Sequence, residues 1–164
     1  MGYIIGLSED TTFEHELSAI LQDRCLLKVY NKTVTEKHDV NVIEKDFWIN
    51  DKHPSKENFK TFLDQDFIRR QGRAIQIAKF ADTGDEIALI ESVSNVVHIC
   101  QIVVQTRKDP KTVMRFLSNM RAYCYPLFAK SHNADGSLSL SFMHCSCTQQ
   151  YGVISKTHRF HKLQ

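Results

Sequence analysis

The 164-residue sequence predicts a single α/β domain over residues 1–164, with a mixed, mostly antiparallel sheet flanked by helices. Three observations support this fold class. Short apolar runs alternate along the chain with segments whose apolar residues have helical spacing. Residues 96–105 are almost continuously apolar, as expected for a buried central strand. No repeat, low-complexity tract or proline-rich linker divides the chain into two cores.

The first half of the chain predicts strands around two amphipathic helices. Apolar runs indicate strands over residues 3–7, 26–30 and 42–49. A capping box at Thr11–Glu14 begins a helix whose apolar face comprises Phe13, Leu17, Ile20 and Leu21. A second helix begins at residues 54–55, and its apolar residues recur at i, i+3, i+4 and i+8 as Phe59, Phe62, Leu63 and Phe67.

The second half begins with a predicted β-hairpin and continues into a long helix. Residues 74–80 and 87–93 are predicted strands, joined by a turn at Asp82–Asp85. After the central strand, Asp109 can cap a helix in which Pro110 suits the first position, because the missing N–H is not needed there. The predicted buried stripe of this helix comprises Val113, Phe116, Leu117, Met120, Cys124, Leu127 and Phe128.

The end of the chain predicts a further strand and a short helix. Pro126 closes the long helix, and a turn follows at residues 133–136. A half-buried strand then alternates serines with Leu138, Leu140 and Phe142. A short helix or turn over 148–156 and a last strand over 158–163 complete the predicted order.

The composition argues against several classes of function. A formal net charge of +2 is too small to imply nucleic acid or an anionic membrane as a partner. No apolar run approaches the roughly 20 residues that span a bilayer, and the N-terminus lacks the pattern of a signal peptide. The five cysteines are an odd number, which favours a reducing compartment. We therefore expect a cytoplasmic protein with no membrane span and with protein partners.

The predicted order of helices and strands resembles the GNAT N-acetyltransferase fold over about residues 10–164. This resemblance implies an acetyl-CoA site where the central strand meets the long helix, since an uncapped helix N-terminus binds anions. The matching residues are Arg107, Lys108, Lys111, Thr112 and Val113. Pro110 stands where the family has its first glycine, so one amide donor is missing, and Asp109 adds a negative charge where a phosphate would lie.

The position of the family's general acid also differs in this sequence. Many members carry a tyrosine that protonates the leaving thiolate, and here Ser155 takes that position, with Tyr151 one helical turn earlier. A serine hydroxyl is a poor general acid. The leading hypothesis is therefore a non-catalytic, structural or protein-binding component of a larger assembly, such as a phage virion, similar in style to small internal virion proteins of T7-like phages. The alternative is an active acetyl-CoA-dependent N-acetyltransferase.

A further hypothesis is a zinc-stabilised interaction domain. Four possible ligands lie in the pattern C-x-C-x10-H-x2-H, formed by Cys145, Cys147, His158 and His161. Two cysteines two residues apart on a strand share a face, so both sulfurs can reach one ion. The spacing is narrower than in zinc fingers, and the plainer interpretation is an edge strand followed by a basic tail.

The remaining patterns favour structural roles. His98 and Cys100 can share a face of the central strand, which allows a cysteine nucleophile, but buried cysteines are usually inert. Together with His144 and Ser146 they resemble the paired H-x-T/S motifs of 2H phosphodiesterases, although a cysteine replaces one hydroxyl residue. Trp48 is either a partner-binding anchor or, by default, a core residue.

Overall fold

The chain folds into a seven-stranded sheet with helices packed on it. The computed structural model describes residues 2–6, 12–21, 27–31, 42–44, 48–49, 53–54, 61, 74–81 and 83–150. The strands are β1 Gly2–Ile5, β2 Leu27–Asn31, β3 Val42–Glu44, β4 Trp48–Ile49, β5 His53–Pro54, β6 Ile75–Phe80, β7 Ile99–Thr106, β8 Leu127–His132 and β9 Leu138–Met143. The described helices are α1 Thr12–Leu21, α2 Glu86–Val93, α3 Pro110–Ala122 and α4 Cys145–Gln150.

The sheet has the strand order β3-β2-β1-β6-β7-β9-β8. Strands β3, β2, β1, β6 and β7 are parallel, β9 runs antiparallel to β7, and β8 runs antiparallel to β9. The chain therefore starts in the middle of the sheet, proceeds to one edge, returns to the middle and proceeds to the other edge. The α/β class with a mixed sheet is confirmed, but the sheet is mostly parallel, so the prediction of a mostly antiparallel sheet of GNAT-like order is wrong.

The core lies between one face of the sheet and helices α2 and α3. The core residues of β1 and β9 alternate, as the two-residue period of a strand requires: Tyr3 and Ile5 in β1, Leu140 and Phe142 in β9. Phe116 of α3 meets Phe142 of β9 edge to face, with 5.4 Å between ring centroids, and neither side chain reaches solvent. The opposite face contacts α1, where the ammonium of the buried Lys79 lies 4.5 Å from the centre of the Phe13 ring. Ile20 of α1 is 76% exposed, so it does not belong to the predicted buried face.

Helix α2 replaces the predicted second strand of a hairpin. Residues 86–93 bury Glu86, Ile87, Leu89, Ile90 and Val93 with helical spacing. A short apolar run fits a strand or a buried helix equally well, and only its tertiary context decides between them. The predicted hairpin is instead a crossover, because β6 and β7 lie side by side in parallel and need a helix between them.

The predicted start of helix α3 is confirmed, but the helix ends earlier than predicted. Asp109 is the N-cap, and Pro110 occupies the first turn. Val113, Phe116 and Met120 are buried as predicted, but the helix ends at Ala122. Cys124 then takes a positive φ of 65° and the chain turns into β8, which leaves two members of the predicted stripe exposed, Leu127 and Phe128.

Other predicted boundaries differ in smaller ways. The predicted strand 42–49 contains two separate strands, β3 and β4, with residues 45–47 outside the described part of the chain. The predicted helix after residue 55 and the strand 158–163 also lie outside it, apart from Thr61. The turn at 133–136 and the strand over 138–142 are confirmed by a hairpin of β8 and β9. The short helix is α4, which begins earlier than predicted.

Two disulfides attach α4 to the rest of the fold. Cys147 bonds to Cys100 of β7, and Cys145 bonds to Cys124 after α3. Disulfides are typical of oxidising compartments, whereas the odd number of cysteines favoured a reducing one, so the cytoplasmic location stays a prediction. Within the described ranges, no helix has the length and apolar character needed to cross a bilayer.

Candidate ligand-binding edge of the sheet

The carboxyl ends of β1 and β6 meet at the point where the direction of winding changes. Gly6, which follows β1, has a φ of +81°. Beside it, the Ala81 amide donates a hydrogen bond to the Ile5 carbonyl at 3.0 Å, which joins the ends of the two strands. A Cβ atom added to Gly6 would lie 1.8 Å from the carbonyl oxygen of Ala81. Open, doubly wound sheets bind ligands in the crevice beside such a switch point. Gly6 therefore marks the edge of the sheet at which a ligand is expected.

A cleft of about 330 Å³ opens farther along the same edge. Its walls come from three places: Gly84 before α2 with Glu86 at the start of that helix, residues 105–108 at the end of β7, and Ser137 before β9. Each wall follows or precedes a strand end on the carboxyl side of the parallel strands, because β9 runs antiparallel and starts where they finish. The cleft is thus formed by the fold itself and does not depend on one loop.

The acidic wall of the cleft is held by backbone contacts. Gly84 has a φ of +76°, and its amide donates to Oε1 of Glu86 at 3.0 Å. The Asp85 amide donates to the buried Thr83 hydroxyl at 3.4 Å. Glu86 is 5% exposed, so its carboxylate is a nearly buried negative group on the cleft wall. The Lys108 ammonium lies 3.9 Å from an Asp85 carboxylate oxygen and brings positive charge close to it.

The basic wall is tied to the turn between β8 and β9. Arg107 forms an ion pair with Asp135, and the Gln105 side-chain amide donates to the Ser137 hydroxyl at 2.9 Å. Asp135 Oδ1 in turn accepts hydrogen bonds from the backbone amide and the hydroxyl of Ser137, at 2.9 and 2.6 Å. These contacts fix the end of β7 against the turn and orient the polar groups of the cleft.

We expect the Asp135 carboxyl to titrate at unusually low pH. The Ser137 hydroxyl and amide, assisted by Arg107, lower the pKa of Asp135 from 3.8 to about 2. A carboxyl whose pKa is depressed on folding stabilises the fold at pH values above its unfolded pKa, and this contribution is lost as pH falls through 2. Carboxyl NMR titration should place the midpoint near pH 2, and Ser137→Ala should raise it. An unshifted midpoint in the wild type would contradict the described network.

The structure separates the residues predicted to hold a phosphate. Arg107 and Lys108 line the cleft, whereas Lys111 is exposed on α3. The Thr112 amide and hydroxyl both donate to the Asp109 carboxylate, at 3.0 and 2.7 Å, and the Val113 amide donates to the Asp109 carbonyl. Asp109 therefore occupies the anion position of this helix start. Burial of its carboxylate is negligible, and the bonds to Thr112 lower its pKa.

The other predicted site residues do not form a described site. Cys145 and Cys147 are both in disulfides, so neither sulfur is a thiolate able to bind zinc in the C-x-C pattern. The predicted partners His158 and His161, and the predicted acids Tyr151 and Ser155, lie outside the described residues. The cysteine nucleophile considered at Cys100 is likewise bonded to Cys147.

Sequence reasoning missed the residues that shape this edge. Gly6 carries the clearest signal, because a glycine directly after the first apolar strand is typical of a ligand-binding turn in parallel α/β sheets. Glu86 carried no signal once residues 87–93 were predicted to be a strand. Gln105 and Ser137 are ordinary polar residues whose proximity arises from the antiparallel pairing of β7 with β9.

This topology defines a Rossmann-like α/β fold with an antiparallel strand inserted before the last position of the sheet. A putative ribosomal RNA methyltransferase from Plasmodium falciparum superposes with a TM-score of 0.53 at 11% sequence identity, covering 87% of this chain and 85% of that one. A methyltransferase from Pyrococcus furiosus gives a TM-score of 0.46 at 12% identity over 87% and 74% of the two chains. The pyocyanin biosynthetic protein PhzM superposes with a TM-score of 0.41 at 8% sequence identity, covering 88% of this chain and 50% of that one.

The fold is therefore shared with the P. falciparum structure, a putative ribosomal RNA methyltransferase. Neither a protein-family model nor a curated protein matches the sequence. The comparison overturns the resemblance to GNAT proteins, and with it the hypothesis of a non-catalytic assembly or phage virion component. The fold shared with the P. falciparum structure also contradicts the expectation of a non-enzymatic chain. The alternative of an acetyl-CoA-dependent N-acetyltransferase is contradicted as well, because it depended on the GNAT resemblance.

Proposed function

We propose that this chain binds S-adenosylmethionine at the carboxyl edge of its parallel strands and acts as a methyltransferase. The observation that carries the proposal is the strand order β3-β2-β1-β6-β7-β9-β8, which matches the methyltransferase fold.

Two backbone positions at the switch point support an adenosyl ligand. Gly6 brings the backbone at the end of β1 close to Ala81, in a space that any side chain would fill. Asn31 ends β2, the strand next to β1, where nucleotide-binding sheets place the residue that bonds the ribose hydroxyls. An asparagine amide can both donate and accept such bonds. The segment after Gly6 departs from glycine-rich loops, since Leu7, Ser8, Glu9 and Asp10 follow.

The cleft beside β7 is the proposed position of the methyl acceptor. When bound, S-adenosylmethionine supplies a methyl group on a sulfonium, which is transferred to a nucleophilic atom. Glu86 is the residue we assign to accept the proton from that atom, because its carboxylate is nearly buried on the cleft wall. Gln105 and Ser137 offer hydrogen-bonding groups on the opposite wall and would orient the acceptor.

Calorimetric titration with S-adenosylhomocysteine, the demethylated product, tests the proposal. We expect one saturable site and a rise in melting temperature as the ligand is added. Asn31→Ala should weaken binding about tenfold, which corresponds to one lost hydrogen bond of about 1.4 kcal/mol. Asn95→Ala is the matched control, since Asn95 is exposed between α2 and β7 and its substitution should leave the affinity unchanged.

Two results would contradict the proposal. Absence of both heat and thermal shift at millimolar ligand would exclude an S-adenosylmethionine site of useful affinity. Equal weakening by Asn31→Ala and Asn95→Ala would place any observed binding elsewhere than the switch point.

A further inference from the structure

The edge of the sheet opposite the cleft brings a histidine and a disulfide together. His98 precedes β7, Cys100 is its second residue, and Cys147 lies in α4 after β9. His98 Nε2 lies 3.5 Å from Cys147 Sγ. The nitrogen and the two sulfurs all lie within 4.8 Å of one another. Both cysteines are 1% exposed, whereas His98 is exposed and gives the cluster an opening to solvent.

We infer that reduction of the Cys100–Cys147 disulfide creates a binding site for a thiolate-preferring divalent metal ion such as zinc. The ligands are His98 Nε2, Cys100 Sγ and Cys147 Sγ. Two thiolates and one imidazole are a donor set that zinc prefers among divalent ions. The site shares only Cys147 with the C-x-C pattern of the sequence, and it lies far from the proposed methyltransferase site, on which it does not depend.

One of the three ligand distances, from His98 Nε2 to Cys147 Sγ, already has the value that a tetrahedral ion requires. Bond lengths of about 2.3 Å to sulfur and 2.0–2.1 Å to nitrogen place a sulfur and a nitrogen ligand about 3.5 Å apart. The His98 to Cys147 distance already has this value. Two sulfur ligands would be about 3.8 Å apart by the same geometry. When the disulfide is reduced, repulsion between the two non-bonded sulfur atoms moves them apart to a similar distance.

Neighbouring side chains can support the ion and its fourth ligand. Three protein ligands leave one tetrahedral position for water, as in zinc sites that remain open. The Ser146 hydroxyl is 3.0 Å from His98 Nε2 and 3.9 Å from Cys147 Sγ, and is also 2.8 Å from His144 Nδ1. This hydroxyl is therefore placed to hydrogen-bond a metal-bound water, the role that residues around a metal's ligands commonly play.

Reduction of the disulfide and binding of the metal ion balance in electrons and protons. A dithiol reductant supplies two electrons and two protons, the Cys100–Cys147 sulfur–sulfur bond breaks, and the reductant closes its own disulfide. Metal binding then displaces the two thiol protons, because the ligands are thiolates. The oxidised protein has no free thiolate at this position, so the site exists in the reduced state alone.

Cobalt(II) titration of the full chain, before and after reduction with a phosphine, tests the inference. The reduced protein should develop thiolate-to-cobalt charge-transfer absorption and tetrahedral visible bands at one ion per chain, and the oxidised protein should not. Zinc should bleach both signals, since it binds such sites more tightly than cobalt. His98→Ala should weaken cobalt binding by at least roughly 100-fold, because even loss of a group supporting a ligand costs 10–100-fold.

Two matched variants separate this site from other thiols and histidines. The double variant Cys124→Ser with Cys145→Ser removes the second disulfide and should retain cobalt binding after reduction. His132→Ala removes an exposed histidine of β8 and should also bind as the wild type does. If reduction alone unfolds the chain, one equivalent of cobalt should restore the far-ultraviolet circular dichroism. Absence of the charge-transfer band, wild-type affinity in His98→Ala, or failure to restore the fold would each overturn the inference.

Discussion

Replacing Gly6 by alanine is expected to lower the free energy of unfolding by about 3 kcal/mol or more. Two effects add at this position. A φ of +81° is strained for any residue with a Cβ atom, and that atom would lie 1.8 Å from the Ala81 carbonyl oxygen. The obstacle is backbone, so relief requires the pairing of β1 with β6 to shift. Urea unfolding followed by circular dichroism measures the loss.

Gly136→Ala is the matched control for Gly6. Gly136 has a similar φ of +78°, but a Cβ there would meet nothing within 4 Å. The strain of the backbone conformation remains and the collision does not, so we expect a loss of about 1 kcal/mol. Equal losses in the two variants would show that the approach of Gly6 to Ala81 is looser than described. A folded Gly6→Ala protein should also bind S-adenosylhomocysteine less tightly, if the proposed site is correct.

Replacing Phe116 by alanine is expected to cost about 3–5 kcal/mol. The Phe116 ring is fully buried on α3 and meets Phe142 edge to face. Removing it leaves a cavity between α3 and the sheet, which the strands cannot close because they are fixed on both sides by neighbouring strands. Thermal and urea unfolding should both report the loss. Phe116→Leu, which fills most of the space, should lose less.

Met114→Ala controls for a change in the helix itself. Met114 lies on the same helix two residues earlier and is 66% exposed, so its truncation removes little buried area. We expect a change within about 0.5 kcal/mol. A loss similar to that of Phe116→Ala would mean that Met114 is covered by something other than the described residues, and the assignment of the buried face of α3 would need revision.

The sequence was most informative where local signals and burial agree. Helix α3 begins at the predicted residue because Asp109 and Pro110 satisfy two separate demands of a helix start, a side-chain acceptor and a fixed φ. Strand β7 was predicted correctly because residues 96–105 are almost continuously apolar, which is typical of a central strand. These are local requirements, so the sequence carries them without knowledge of the rest of the chain.

The error at α2 shows where such reasoning ends. Residues 87–93 are apolar enough for either a strand or a helix, and Gly84 fits a hairpin turn as well as the start of a crossover. The choice depends on whether β6 and β7 pair in parallel, which is a property of the assembled sheet. Because residues 87–93 were predicted to be a strand, the predicted sheet became mostly antiparallel. The incorrect resemblance to the GNAT fold followed from that prediction.

The site could be predicted only in part, for a related reason. Arg107 and Lys108 were identified because they follow the central strand, and they do line the cleft. Ser137 lies 30 residues from Arg107 in sequence, and it reaches the cleft because β9 starts beside the end of β7. Contacts of this kind depend on strand order, which local composition does not encode.

The two disulfides also determine what happens to the chain if it is cut. Residues 100–147 form one covalent ring, and residues 124–145 form a smaller ring that contains the whole hairpin of β8 and β9. A protease that cleaves the exposed turn at 133–136 would therefore release no fragment, since both new ends remain joined through sulfur. In the oxidised state such a nick would add only the mass of one water molecule, and the two pieces would separate on a gel only after a reductant is added.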